Sequence, residues 1–559
     1  MECRSSRWTT PNNLRDSGAL SVEGGIEASG SRAEPPYSNP NEKSLQPQTP
    51  MQPKRKFTLI PTARALFLFA ILAVCGRAEE QVLFAFDDVY LPFQHGVKLN
   101  LVSHVGAGNM VLGPGPAGAP DSKGLIYYGT VCEVNGELWM WYLGMGDQDA
   151  KRQYRICLAK SKDGRKWERP ALGVVEYGGS KNNNLVDLNQ GRDRIAGCVV
   201  YYEPQEKDPN KQFKMVYTGS QYPGLLFAVA YSSDGISWKE SPNNPRGKIK
   251  LEPQGGIKWK DTYILNGQGG LHWGPENKWI RRLTTHVSYD FEDWTYSTVQ
   301  GFSRDPIPPR PNPRTGNRDG EQVHLGAGLW NRGNVVVGIY GQWHGHPTND
   351  RRFVSIDGGL VVSHDALHFK EPIPDFRIIQ AQESPNWWAP DGTQMPLVRV
   401  PALMQGQGFA NVGTETLFWN SIWVIPSAGI RVARWDRDRL GYLAPFVGPK
   451  QTPHVISAPL ATGGKPATIS LNVAGIGEHG SIKVTVLDEQ FRPIPGYEAG
   501  QCTGPARSGL REAVSWGDKK VITADKPIRL RIDFGGIRPE DVRLYAAYLS
   551  TENRDPTNP

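Results

Sequence analysis

One short pattern returns five times along this chain and limits what the chain can become. It reads AKSKDGRKWERP at 159–170, AYSSDGISWKE at 230–240, HVSYDFEDWTY at 286–296, VVSHDALHFKEP at 361–372 and, more worn, VARWDRDRLGYL at 432–443. Each copy is an apolar strand, a Ser/Asp/Gly turn and an aromatic residue that opens the next strand. In the best copies the Ser and Asp side chains can hydrogen-bond nearby backbone N–H groups, and the Gly supplies the positive φ of a tight hairpin. With Ser161, Ser232, Ser288, Ser363 and Arg434 as markers, the spacings are 71, 56, 75 and 71 residues. A period this long holds several strands per unit, which is the signature of a β-propeller, and five copies predict five blades. The expected fold class is therefore all-β. A five-bladed β-propeller spans 79–447, a Pro/Gly linker 448–455, a β-sandwich 456–552 and a tail 553–559.

Composition agrees where it matters: 62 Gly, 45 Pro and 17 Trp in 559 residues suit a turn-rich β protein. The formal charge is +7, but residues 1–78 hold ten Lys/Arg against six Asp/Glu, so the remainder carries only +3. That is too little for a concentrated basic face, and nucleic acid is excluded as a partner. Residues 1–52 are polar, Pro/Ser/Gly-rich and aperiodic, and are expected to be disordered or a mis-assigned extension. Over 53–78 the basic Lys54-Arg55-Lys56, the apolar run Ala65–Cys75 and a small-residue end read as a signal peptide starting near Met51. Its apolar run of 11 residues is short for a membrane span. The expected location is secreted or periplasmic, with a lipid anchor at Cys75 or an uncleaved anchor as alternatives and no membrane span in the mature chain. Cys132, Cys157, Cys198 and Cys502 lack metal spacing and read as isolated buried thiols, with one disulfide among the first three left open.

The blades follow from the strand pattern. Asn135-Gly136 between Tyr127–Glu133 and Glu137–Leu143 is a hairpin signal. Blade five is read as Glu415–Trp419, Ser421–Pro426, Gly429–Ala433 and Tyr442–Leu443, which leaves 305–318 and 379–413 as long insertions. Insertions on one face of a β-scaffold are where function usually resides. Beyond the linker, Ala467–Val473, Ser481–Leu487, Ile528–Phe534 and Asp541–Leu549 alternate as sandwich strands, with Asp488–Pro495 as a turn.

Four stretches carry a resemblance: 159–186 (AKSKDGRKWERPALGVVEYGGSKNNNLV), the YGTV…NGELWMWY hairpin at 128–142, the segment around 208–217, and GSIKVTVLDEQFRPIPGY at 480–497. Through them the chain resembles the secreted five-bladed propeller proteins of planctomycete type related to glycoside hydrolase families 32 and 43. The resemblance covers roughly 80–550. It implies a funnel at the propeller axis, lined by the first strand of each blade, that binds a sugar. It also implies three carboxylates there: an Asp on blade one, an Asp on blade two and a Glu on blade three. Such chemistry needs one group to protonate the leaving oxygen and another to attack the anomeric carbon or activate water. This chain departs from the pattern. Blade one opens Tyr127-Tyr128-Gly129-Thr130 with no Asp, blade two offers Asp193 between two arginines, and blade three offers Glu252.

The catalytic candidates are Asp88, Glu321 and Glu415, and the substrate-binding candidates are Asp193, His324, Trp343 and His344. Asp88, beside Asp87, is read on the strand LFAFDDVYLPF, where alternation points at most one of the two inward. Glu321 precedes His324 by three residues at the head of blade four, and Glu415 opens an otherwise apolar strand, where an unpaired carboxylate is costly. Gln342-Trp343-His344-Gly345-His346 combines an aromatic face with imidazoles, which suits a sugar. Trp387-Trp388 could cover the funnel, whereas Trp167 and Trp238 read as packing between blades. No metal site and no cofactor are expected, a structural calcium on the axis being left open. Three functions are consistent with this pattern: a glycoside hydrolase acting on poly- or oligosaccharide, a glycan-binding propeller that has lost its triad, and a sialidase-like enzyme. The last ranks third because the turn is one residue short of the sialidase repeat.

Overall fold

The computed structural model describes residues 80–551, apart from 151–152, 190–193, 223, 225, 249, 274–277, 305–320, 345–353, 383–401, 423–428 and 447–450. The signal peptide, Asp193, His346, Trp387-Trp388, the insertion at 305–318 and much of that at 379–413 lie outside these residues. So do much of the linker and all of the tail. Among the described residues all regular structure is β apart from short 3-10 turns, and no helix is long and apolar enough to cross a membrane.

Five strands precede the repeats: β1 (Gln81–Phe84), β2 (Phe93–His95), β3 (Val97–Leu101), β4 (His104–Val105) and β5 (Asn109–Leu112). Five antiparallel meanders follow. The first is β6 (Gly124–Val134), β7 (Glu137–Met145) and β8 (Arg155–Ser161), and the second β9 (Ile195–Tyr202), β10 (Phe213–Gly219), β11 (Ala228–Ser232) and β12 (Lys239–Glu240). The third is β13 (Glu252–Trp259), β14 (Thr262–Trp273), β15 (Lys278–Ser288) and β16 (Val299–Phe302). The fourth is β17 (Glu321–Asn331), β18 (Val336–His344), β19 (Ser355–Ser363) and β20 (Arg377–Gln380), and the fifth β21 (Leu403–Val412), β22 (Glu415–Ile422) and β23 (Ile430–Asp436). The chain ends with β24 (Gly441–Pro445), β25 (His454–Ile456), β26 (Thr468–Ala474), β27 (Ser481–Leu487), β28 (Cys502–Thr503), β29 (Gly509–Ala513), β30 (Ser515–Trp516), β31 (Arg529–Gly535) and β32 (Arg543–Ser550).

The repeated turn does what its composition predicts. In the first copy Ser161 Oγ accepts from Gly164 N–H at 2.9 Å, and Asp163 Oδ1 accepts from Arg165 and Lys166 N–H at 2.8 Å each. The same bonds recur around Ser232 and Asp234. The left-handed position is Gly164 and Gly235 in two copies but Phe291 (φ 66°) and Ala366 (φ 59°) in the next two. These two turns also fasten a neighbouring meander: Trp419 Nε1 donates to Gly164 O at 2.9 Å, and Trp141 Nε1 to Gly235 O at 2.9 Å. Trp167 stands edge-on to Trp419 at 5.8 Å, in keeping with a packing role.

The first strands touch in a closed cycle, β6 on β9, β9 on β13, β13 on β17, β17 on β21, and β21 back on β6. Backbones approach closely there. A Cβ on Gly255 would collide with Ala327 O, and one on Gly406 with the Tyr127 ring. Bulges interrupt β6, β13, β17 and β21 against their own second strands, and the backbone groups they release must find partners. Side chains reaching across the cycle supply them. Asn266 brackets Ala327 with bonds of 2.9 and 3.1 Å, and Gln407 holds Leu329 N–H and O at 2.8 Å each.

Two expectations fail at the fifth repeat. Its first strand is β21, inside the stretch read as an insertion, so Glu415 opens a second strand instead. Tyr442–Leu443 do not close this sheet either: β24 pairs with β3 and β32, and the outer strand of the fifth sheet is β5, antiparallel to β23. A strand distant in sequence completes the sheet, and periodicity cannot show such a partner. The two C-terminal sheets, β29-β26-β32-β24-β3 with β1 on β32, and β2-β25-β31-β27, share one apolar cluster that includes Leu471, Val484, Ile532 and Leu544. The four cysteines are free, and burial pushes the Cys132 and Cys198 thiols up to about 12.

Candidate functional site

The heads of β13 and β17 lie side by side and gather a set of polar side chains. Gln268 Nε2 donates to Glu252 Oε2 at 3.2 Å, while Gln268 Oε1 accepts from Leu325 N–H at 3.3 Å. Nearby, Gln322 Oε1 accepts from Arg281 N–H at 3.1 Å. These groups lie at the end of the cycle where β13 and β17 begin, here termed its mouth.

Glu321 is the first residue of β17 and pairs directly with His344, the last of β18. Directly opposed residues of an antiparallel pair share a face, and so do diagonal ones two positions along. That geometry brings Glu321 Oε2 to His344 Nδ1 at 2.5 Å, and His344 Nε2 to Asp357 Oδ2 at 3.0 Å. His344 thus lies between two buried carboxylates. Two arginines complete the chain of charges. Arg304 Nη1 meets Glu321 Oε2 at 2.5 Å while Nη2 reaches Asp375 at 3.1 Å, and Arg377 Nε meets Asp357 at 3.1 Å. Glu321 is 4 % exposed. Burial opposes its ionisation, but the His344 hydrogen bond and the Arg304 charge outweigh burial and hold the carboxyl below the usual glutamate range. Asp357 is likewise held low: burial raises it, while His344, Arg377 and the Ala381 N–H bring it down further.

The other candidates fare differently. His324 lies in the same wall, buried, with its ring 5.7 Å from that of Trp343 and its carbonyl accepting from Gln405 Nε2 at 2.5 Å. Trp343 is only 6 % exposed, and the Arg281 guanidinium sits over its ring at 3.9 Å. It supports the mouth instead of presenting an open stacking face.

Asp88 is in a turn, not a strand. Its neighbour Asp87 caps that turn, accepting from Val89 and Tyr90 N–H and facing His364 at 3.0 Å, while Asp88 pairs with Lys370 and keeps its side chain 64 % exposed. His364 follows the far end of β19, so Asp88 stands about 26 Å along the sheet from the Glu321 cluster, at about 3.3 Å per residue. Glu415 is also remote. It faces Val412 at the β21–β22 hairpin, five residues along β22 from Asn420, the partner of Gln405, or about 17 Å on the same scale, and pairs with Arg165 and Arg434. Neither shares a site with Glu321.

Sequence reasoning missed Arg304, Asp357 and Arg377. A charged residue inside the apolar run SIDGGLVVS (355–363) was the signal for Asp357. The arginines carry no local signal, because their partners are remote in sequence. Among the described residues no group of three His, Cys, Asp or Glu could hold a metal ion.

No family model matches the chain, and no curated protein matches it. Solved structures it resembles include glycoside hydrolases. A glycosyl hydrolase from Bacteroides ovatus has 16 % identity and a TM-score of 0.39, over 62 % of this chain and 95 % of that one. A member of the GH130 family, described with mannoside phosphorylases and hydrolases of β-1,2-mannosidic linkages in Candida mannan, has 15 % identity and a TM-score of 0.39, over 62 % and 94 %. The Bombyx mori GH32 β-fructofuranosidase has 11 % identity and a TM-score of 0.36, over 79 % and 94 %. Similarity this distant adds nothing to the chemistry of the site, which rests on the residues above.

Proposed function

We propose that this chain is a secreted glycoside hydrolase-like protein that holds a poly- or oligosaccharide at the mouth of a five-bladed β-propeller, with the two C-terminal sheets as a β-sandwich. The five meanders and the closed cycle of their first strands support the propeller, and the resemblance of 128–186 supports the substrate class. The observation that carries the reading is a glutamate at the mouth, Glu321, kept ionised by Arg304 and His344, one sheet away from a second glutamate, Glu252, whose described partner is a neutral amide. Glycosidic cleavage requires two carboxyl groups, one to give a proton and one to carry negative charge. Glu252 protonates the leaving oxygen. Glu321 supplies the negative charge that attacks the anomeric carbon or takes the proton of the attacking water, and His344 and Arg304 hold it in place. His324, Gln322 and Arg281 meet the sugar hydroxyls.

A second reading, glycan binding without cleavage, is favoured by one specific observation: blade one presents Tyr128 and Thr130 where relatives carry an Asp. One experiment separates the two. The purified chain is incubated with a broad glycan panel, and both reducing-end release and binding are measured. Release that falls at least a hundred-fold in Glu252→Gln, with the variant's melting curve unchanged, supports the hydrolase. Binding without release supports the second reading, and neither binding nor release overturns both.

A further inference from the structure

The mouth has two sides, and their charges are arranged differently. On the side of the fourth meander Arg304, His344 and Arg377 are paired with Glu321 and Asp357. The other side lies between the heads of β9 and β13, which touch. Arg194 directly precedes β9, Lys248 and Lys250 lie in the segment that enters β13, and all three are exposed. That segment is seated against the second meander by Arg246 and Gly247 N–H, which donate to Phe227 O at 3.0 and 2.9 Å. Among the described residues none of these three cations has an ion partner.

Arg282, on β15, is the half-buried member of this group. It stands opposite Gly269, one row beyond the row of Glu252, Gln268 and Leu283, and so past the first residue of β13. Alternation sets its direction. Leu283 packs with Val323 and Tyr340, and the Arg281 guanidinium lies over Trp343, so these two face the fourth meander. Arg282 turns the other way, as does His286, whose ring meets Phe227 of the second meander edge-on at 5.8 Å. Three observations then single it out. Its Nε is buried without a hydrogen-bond partner, no ion pair reaches it among the described residues, and burial lowers its pKa with no nearby charge to offset the shift. Gly269 has no side chain to cover it, and a Cβ there would strike Thr284 at 2.5 Å. Glu252, the described carboxylate at these two heads, lies on the opposite face, bonded to Gln268. A desolvated guanidinium without an acceptor is costly, and an unpaired buried polar group in a folded chain calls for a partner.

We infer that Arg282 receives an oxyanion carried by the bound sugar, a carboxylate or a sulfate, and that Arg194, Lys248 and Lys250 draw such chains to the mouth. A planar guanidinium presents paired N–H donors matched to two oxygens of such a group, and it keeps its charge when desolvated. The exposed cations supply field, not geometry. The inference rests on the mouth being the sugar site and names the class of sugar: the poly- or oligosaccharide is acidic.

The test measures binding, so that it is separate from cleavage. The purified full chain is titrated with polygalacturonate, alginate and carrageenan, each beside its carboxyl-reduced or desulfated counterpart, and with duplex DNA. At least one acidic polymer should bind about ten-fold more tightly than its neutral counterpart, the preference weakening as salt rises, and which polymer it is tells carboxylate from sulfate. Arg282→Gln should reduce that preference about ten-fold while raising the melting temperature or leaving it unchanged, because it removes an unpaired desolvated charge. Arg282→Lys keeps the charge but not the fork and should fall between the two. Equal affinity for acidic and neutral polymers overturns the proposal. So does a preference that survives Arg282→Gln, which would rest on the exposed cations alone, or equally tight binding of DNA. Reducing ends released only from neutral polymers would leave the hydrolase standing and this inference fallen; Arg282-dependent binding of an acidic polymer without release would do the reverse.

Discussion

Glu321 and Glu415 each open a strand of an adjoining meander, and in sequence the two look alike: a glutamate at the start of an otherwise buried run. In space they have different surroundings. Glu321 sits at the mouth, almost fully buried, with Arg304 and His344 converging on one oxygen and further charges beyond them. Glu415 sits at the hairpin end, its side chain 23 % exposed, between Arg165 and Arg434, which are themselves 43 % and 46 % exposed. A carboxylate among solvated cations is a surface ion pair, worth little because water screens it and long side chains must be ordered. A carboxylate enclosed with its partners is a committed arrangement, since removing one partner strands the others in a poor solvent. Burial of the partners, more than the presence of a partner, separates the two sites.

The comparison breaks most easily at Glu321. Replacing it with Gln leaves the 1 % exposed Arg304 side chain without its buried counter-charge, and the cost should be about 3–5 kcal/mol in urea unfolding. A cost below about 1 kcal/mol would put Glu321 in the same class as Glu415. Acid sharpens the contrast. Folding lowers the pKa of Glu321 and of Asp357. Their stabilisation is therefore complete above the unfolded values of about 4.3 and 3.9, and is lost as pH falls through the lower folded values. The stability gap between wild type and Glu321→Gln should accordingly narrow on acidification below about pH 4. A gap that stays constant from pH 7 to 3 would show that Glu321 is not ionised at the mouth. The smallest effect is expected at the hairpin end, where Glu415→Gln should change stability by about 0–1 kcal/mol, and less still in high salt.

The fold was largely legible because its cues are local. Ser161, Asp163 and Gly164 lie within four residues, the bonds they make are the ones their chemistry suggests, and Asn135-Gly136 turns the hairpin where expected. Even where Phe291 and Ala366 replace glycine, the Ser and Asp just before them still mark the turn. The site was less legible. Glu321, His324, Trp343 and His344 lie together on β17 and β18, close enough in sequence to be grouped, whereas Asp88 joins them through alternation on a stretch that is a turn, and Glu415 through the cost of a carboxylate in an apolar run. Both had cheaper solutions nearby in space: Asp88 faces Lys370 at the surface, and Glu415 faces two arginines.

By itself, the sequence determined the repeat, the all-β class and hairpins such as the one at Asn135-Gly136, because turn chemistry and alternation act over a few residues and need no distant partner; the fifth repeat, where Glu415–Trp419 and Ser421 share one strand, it misread. Tertiary structure alone decided how the cycle is fastened, with β5 completing the fifth sheet and β24 passing to the C-terminal sheets. It also decided which carboxylates are enclosed with their partners and which are paired at the surface. Charge at a site is set by the groups that face it across sheets, as Arg304 and His344 face Glu321. Those contacts depend on register and closure, which no local pattern encodes.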